Sequence, residues 1–142
     1  MTFKYILDTG PLVALLSADD DYHDWSKYQF SQLSPPVLTC QAVLTETCFL
    51  ISQNPIGYRL LFSLLKKGLI ITNFEIQAYL EEIDTLIHKY SNVPMSFADA
   101  CLVQLSALYS QAQILTLDSD FFIYRGPKGM PLPVIHPHTH PL

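Results

Sequence analysis

The chain has 142 residues, 49% of them hydrophobic and 15% charged, which is enough for one domain with a sizeable buried core and too few for a separate regulatory module. Its net charge of −5 runs against sequence-independent affinity for nucleic acid, which draws on counterion release by basic residues, so Lys66, Lys67, Arg125 and Lys128 would have to carry such a contact. No apolar run approaches the ~18 residues needed to span a membrane, and Cys40, Cys48 and Cys101 form neither a zinc spacing nor an even disulfide set, which fits a reducing, cytoplasmic compartment.

Residues 3–7 read as a short buried strand that ends at Asp8. The pair Gly10-Pro11, followed by Leu12, Val13, Leu15 and Leu16, predicts a helix over 11–17, because proline is favoured in a first helical turn. Asp8, Gly10 and Pro11 interrupt the apolar stretch after Lys4, so no signal peptide is expected there. Helices over 22–33, 41–53 and 57–66 follow, with strands at 37–39 and 69–72. In the last of these helices Leu60, Leu61, Phe62, Leu64 and Leu65 leave little polar face, so it is expected to be buried, with an interface, such as that of a homodimer, as the alternative.

Ile76, Tyr79, Leu80, Ile83, Ile87 and Tyr90 recur at helical spacing and predict one long amphipathic helix before Pro94. Ser96-Phe97-Ala98-Asp99 has the form of a capping box that opens another helix, on which Cys101 falls among Ala98, Leu102, Leu105, Leu108 and Tyr109 as a packing residue. Residues 113–117 form a strand that ends at Asp118. Strands alternating with helices imply a parallel sheet covered on both faces. The expected organisation is one domain over 1–136 and a flexible, proline-spaced tail over 137–142, with His136, His138 and His140 as a secondary candidate for metal binding.

Four acids stand at positions where chemistry concentrates. Asp8 and Asp118 close strands, and the carboxyl ends of strands are where open α/β sheets build sites. Glu46 has Ala42, Val43, Phe49 and Leu50 three and four positions away, so a carboxylate sits on an apolar stripe and needs a compensating partner unless it reaches solvent at the stripe's edge. Asp99 alone has the form of a cap, and Asp118 alone that of a turn former. Together the four are candidates for a metal-binding carboxylate cluster, flanked by the hydroxyls of Thr9, Thr45, Ser96, Thr116 and Ser119, of which Thr116 is the foremost candidate to orient a ligand. The Asp8-Thr9-Gly10 run matches the signature of aspartic proteases, but the helix after it excludes that all-β context.

The segments 6–16, 44–46, 97–103 and 115–121, centred on Leu7-Asp8-Thr9, Thr45-Glu46, Ala98-Asp99-Ala100 and Leu117-Asp118-Ser119-Asp120-Phe121, resemble the successive motifs of PIN-domain ribonucleases, particularly the VapC-like toxins of toxin–antitoxin pairs. The resemblance runs in order over nearly the whole chain. It implies a PIN-like three-layer α/β/α sandwich with a central, mainly parallel sheet, Mg²⁺ or Mn²⁺ held by Asp8, Glu46, Asp99 and Asp118, and hydrolysis of RNA phosphodiester bonds. It also implies a cognate antitoxin, with the 57–66 helix as one surface that could receive it. Many family members carry a further acid three residues before the helix aspartate, where this chain has Ser96; Asp120 is the alternative donor. Hard oxygen donors without a His or Cys set suit Mg²⁺ or Mn²⁺ over zinc, and such an ion would activate water for phosphodiester hydrolysis. The other expectation is a PIN-fold binding or interaction module that is catalytically weak or inactive.

Overall fold

The computed structural model describes residues 2–142. Its centre is a five-stranded, fully parallel sheet in the order β3-β2-β1-β4-β5, built from β1 (Tyr5–Leu7), β2 (Val37–Thr39), β3 (Ile70–Thr72), β4 (Gln113–Leu115) and β5 (Val134–Ile135). Parallel strands buried on both faces need unbroken apolar runs, and Ile6, Leu7, Leu38, Ile114 and Leu115 are fully enclosed. The connecting helices are α1 (Thr9–Leu16), α2 (His23–Gln32), α3 (Gln41–Leu50), α4 (Pro55–Lys66), α5 (Leu80–Lys89) and α6 (Phe97–Leu108). Helix α1 packs on α2, α3 and α4, and α5 packs on α6, giving the α/β/α sandwich.

The chain passes from β1 outward to β2 and β3, then returns to place β4 on the other side of β1. The strand order therefore reverses between β1 and β4, and a crevice opens at their carboxyl ends. Register fixes what borders it: Leu7 pairs with Leu115, and the Asp8 N–H donates to Leu115 O at 3.0 Å. Asp8 and Asp118 leave their strands on either side of this switch point. Gly10 lets α1 start close to the β4 exit: a Cβ would lie 3.2 Å from Leu117 Cβ, tight enough that the leucine side chain would have to give way.

Several elements differ from the sequence expectation. The long helix expected up to Tyr90 is a short 3₁₀ turn, Ile76–Tyr79, followed by α5; Tyr79 leaves helical geometry at φ −130°, ψ 22°, with its ring stacked on Phe74 at 5.4 Å. Helix α4 starts earlier than expected because Asn54 caps it, accepting the Gly57 N–H at 2.9 Å, and Pro55 fills the first turn. Its burial is also corrected: Gly57 and Leu61 are its only buried residues, while Ile56, Tyr58, Leu60 and Phe62 are exposed, with Tyr58 stacked on Phe62 at 5.3 Å. Strand β5 follows Pro131 and Pro133 and is too short to leave a periodic pattern. Beyond it the chain turns at His136, whose carbonyl accepts the Thr139 and His140 N–H groups, and the Trp25 indole donates to His140 O at 2.7 Å. No helix among the described residues is long and apolar enough to cross a membrane.

Candidate functional site

The crevice at the β1/β4 switch point is a cleft of about 470 Å³ whose walls include Asp8, Glu46, Asp99, Asp118 and Asp120, with Thr9 and Ser96 beside them. All five acids singled out in the sequence thus border one hollow. What each carboxylate is bonded to decides what the hollow can do.

Asp8 is buried and fully engaged. Its Oδ1 accepts the Thr9 N–H at 2.7 Å, which caps α1, and its Oδ2 accepts the Thr116 hydroxyl at 2.6 Å. Thr116 in turn accepts the Asp118 N–H at 2.9 Å, so one buried hydroxyl ties the exits of β1 and β4 together. Burial pushes the Asp8 carboxyl up to about 7; the hydrogen bonds from Thr116 and Thr9 oppose this shift, and the charges of Asp99 and Asp118 reinforce it.

Asp99 sits in the first turn of α6, where its N–H donates to Ser96 Oγ at 3.0 Å, the cap read from the sequence. Its Oδ2 accepts the Tyr124 hydroxyl at 2.8 Å. Burial raises the Asp99 carboxyl above the ordinary carboxylate range against the Tyr124 and Ser96 hydrogen bonds. Asp118 precedes a 3₁₀ turn, Ser119–Phe122, and its Oδ1 accepts the Asp120 N–H at 2.9 Å. Asp120 is also raised, by burial and then by the Asp118 charge. Glu46 is exposed on α3 beside the exposed side chains of Phe49 and Leu50, while Val43 is buried, so it reaches solvent at the edge of the apolar stripe and no buried charge needs compensation.

The acids share a cleft without forming an ion-sized centre. Among the described residues no group of three or more His, Cys, Asp or Glu side chains is arranged to hold a metal ion. The expected Mg²⁺ or Mn²⁺ centre of Asp8, Glu46, Asp99 and Asp118, with Asp120 in reserve, is corrected by this finding. So are the endoribonuclease and hydrolase expectations that depended on it. The physical reason lies in the bonds above: Asp8 caps α1, Asp118 turns an oxygen to the Asp120 N–H, Asp99 gives an oxygen to the Tyr124 hydroxyl, and Glu46 lies out on the rim. His136, His138 and His140 supply no metal group either; the His136 ring receives the His138 N–H at 3.0 Å and packs 4.7 Å from the His138 ring.

Of the flanking hydroxyls, Thr116 orients Asp8 and Ser96 caps α6. Thr45 donates to Gln41 O within its own helix, and Thr9 Oγ1 is buried with no partner. Sequence reasoning missed Tyr124, which is fully buried, packs on Tyr90 and Phe121, and donates to Asp99. It also missed the exposed aromatic rim: Phe49 and Phe97 border a second hollow that shares Glu46 and Ser96 with the acidic cleft. A third hollow, bordered by Ile56, shares Leu50 with it. The signal for the rim was the run of apolar residues around Glu46, which admitted both a buried stripe and an edge in solvent.

The sequence matches the PIN domain family over residues 5–126, most of its length, and the chain belongs to that family. No curated protein matches it closely enough to count as a relative.

Proposed function

We propose that this chain is a PIN-fold binding module, catalytically weak or inactive, that receives a basic and apolar segment of a protein partner. The observation that carries the reading is the continuity of three hollows: an acidic cleft with five carboxylates, flanked through Glu46 and Ser96 by Phe49 and Phe97, and through Leu50 by Ile56. A Lys or Arg side chain among these acids would gain charge-assisted hydrogen bonds, while leucine or aromatic neighbours cover the rim. The net charge of −5 favours a cationic partner and opposes the phosphate backbone of RNA. The resemblance to VapC-like toxins supports a small companion protein, in the manner of an antitoxin, as the form the partner takes. A second copy of the chain is the competing occupant of the exposed α4 face. Three unpaired thiols support a cytoplasmic setting. In this proposal residues 1–136 form the module.

The test is fluorescence anisotropy with a labelled amphipathic peptide rich in Arg and Leu, compared with single-stranded RNA of similar length at low and high salt. The peptide is expected to bind, more weakly at high salt, and Glu46→Gln and Phe97→Ala are each expected to weaken it. Tighter binding of RNA than of the peptide would refute the proposal.

A further inference from the structure

The end of the chain is held by one buried imidazole whose two nitrogens have opposite duties. His136 Nδ1 accepts the His138 N–H at 3.0 Å, and a backbone N–H can only donate, so Nδ1 carries no proton. The ring proton therefore sits on Nε2, which donates to the carbonyl of Leu117 at 3.2 Å, in the wall of the acidic cleft. Both nitrogens are occupied, and the ring is neutral in a single tautomer. Around it the backbone closes a tight turn: the His136 N–H donates to Thr139 Oγ1 at 3.0 Å, and His136 O accepts the Thr139 and His140 N–H groups at 2.9 and 2.8 Å. The turn meets the body of the fold again where the buried Trp25 indole donates to His140 O at 2.7 Å. Residues 138–142 are exposed.

We propose that His136 is a pH-operated latch: as a neutral ring it holds the C-terminal turn closed, and a proton on Nδ1 opens the turn and frees residues 137–142 from Trp25. The reason is geometric. A proton on Nδ1 would point at the His138 N–H, donor against donor, whereas the Nε2–H bond to Leu117 O is kept. The ring thus stays at the β4 exit while the segment after it leaves.

The groups that face the ring set the direction of the switch. From its own turn the His138 ring packs at 4.7 Å; from the Ser119–Phe122 turn the uncharged Phe122 ring packs edge-on at 5.0 Å; and Asp118 at the β4 exit is the facing acid. Burial holds His136 below the ordinary histidine value of 6.5, and a charged His138 adds to this, against the Leu117 carbonyl and the Asp118 charge. A ring whose proton is held off by folding gives the turn stability that is complete above 6.5 and is lost as pH falls below that value toward the folded one. The latch therefore opens on the acid side.

Long-range proton–nitrogen NMR on the full-length chain reads the tautomer and the titration of each histidine. His136 is expected as the Nε2–H tautomer at pH 8 with a midpoint below 6.5, and the emission of Trp25, the only tryptophan, is expected to change over the same range. Far-UV circular dichroism should stay constant there, because only the turn opens. His136→Gln, which keeps a donor and an acceptor without titrating, should abolish the emission change. His138→Ala should keep it at a higher pH, since a like charge is gone, and His140→Ala should keep it unmoved. An Nδ1–H tautomer, a midpoint at or above 6.5, no emission change across the His136 midpoint, or one that comes only with loss of helix would overturn the proposal. If His136→Gln fails to fold, the tautomer, midpoint and emission of the native chain decide alone.

Discussion

Replacing Asp8 with asparagine is expected to stabilise the fold at neutral and higher pH, although it removes a buried residue with two good hydrogen bonds. The folded protein holds the Asp8 proton up to about 7, whereas the unfolded chain gives it up near the ordinary carboxyl value of 3.8. A carboxyl raised by folding favours the native state fully below the unfolded value, and that advantage is lost as pH rises toward 7. The difference of roughly three units, at about 1.4 kcal/mol each, sets the loss at about 4 kcal/mol. Asparagine keeps an acceptor for the Thr9 N–H but turns an amide toward the Thr116 hydroxyl, which loses its acceptor at a cost of about 1 kcal/mol. The net gain at pH 8 is therefore about 3 kcal/mol, falling to zero or slightly below at pH 4 (values of the order set by linkage). Urea denaturation of both proteins across this range gives the difference directly, and it should grow with pH. A difference that stays flat with pH would refute the raised Asp8 carboxyl; one that grows with pH but is still a loss at pH 8 would mean that the cap and the Thr116 bond outweigh burial.

Thr116→Val removes both the donor to Asp8 and the acceptor of the Asp118 N–H, so urea denaturation should show a loss of about 2 kcal/mol and the pH-dependent step should move upward. Tyr124→Phe deletes the hydroxyl bonded to Asp99 and is expected to cost about 1–2 kcal/mol by the same measurement, with no loss of secondary structure in circular dichroism. Mg²⁺ and Mn²⁺ are expected to leave the melting temperature unchanged up to millimolar concentration, because a ligand stabilises only where it binds the native state; a saturable rise would restore a metal centre. Binding of the Arg- and Leu-rich peptide should tighten as pH rises through 7, as Asp8 and then the cleft as a whole become more negative; anisotropy titrations that are identical at pH 6 and pH 8 would exclude a role for the Asp8 charge.

The frame of the fold was readable because it rests on local patterns. Apolar runs marked β1, β2 and β4, the Ser96 cap marked the start of α6, and Gly10-Pro11 marked the start of α1. The misreadings share one physical origin, which is that periodicity reports a face without saying what covers it. The apolar residues of α4 were expected to be buried, yet Leu60 and Phe62 are 42% and 40% exposed; the stripe around Glu46 admitted both burial and an edge in solvent, and Phe49 beside it is 76% exposed. At the break the Tyr79 ring stacks against Phe74, a contact that helical spacing does not encode. The convergence of the acids on one cleft followed from strand order, since strands that end side by side bring their last residues together. Whether the carboxylates face one point or separate partners depends on side-chain torsions. The sequence carried hints in both directions: the same Ser96-x-x-Asp99 and strand-end aspartates that resemble ligand motifs are also ordinary capping patterns.

The capping role and the proposed binding role place opposite demands on the same charges. As a cap, Asp8 needs an acceptor oxygen toward Thr9, which asparagine supplies about as well, and its charge costs the fold stability above neutral pH. A structural role alone therefore gives no physical reason for an ionisable group at this buried position, or for Asp99 and Asp118 close enough to raise its carboxyl further. A cation entering the cleft reverses the sign of that interaction, lowers the carboxyl values and draws off the proton held near neutrality. The energy that makes the empty cleft unfavourable is thus available to binding, in proportion to how completely the partner's charge reaches Asp8. Thr9, whose Oγ1 is buried without a partner, stands in the same cleft wall.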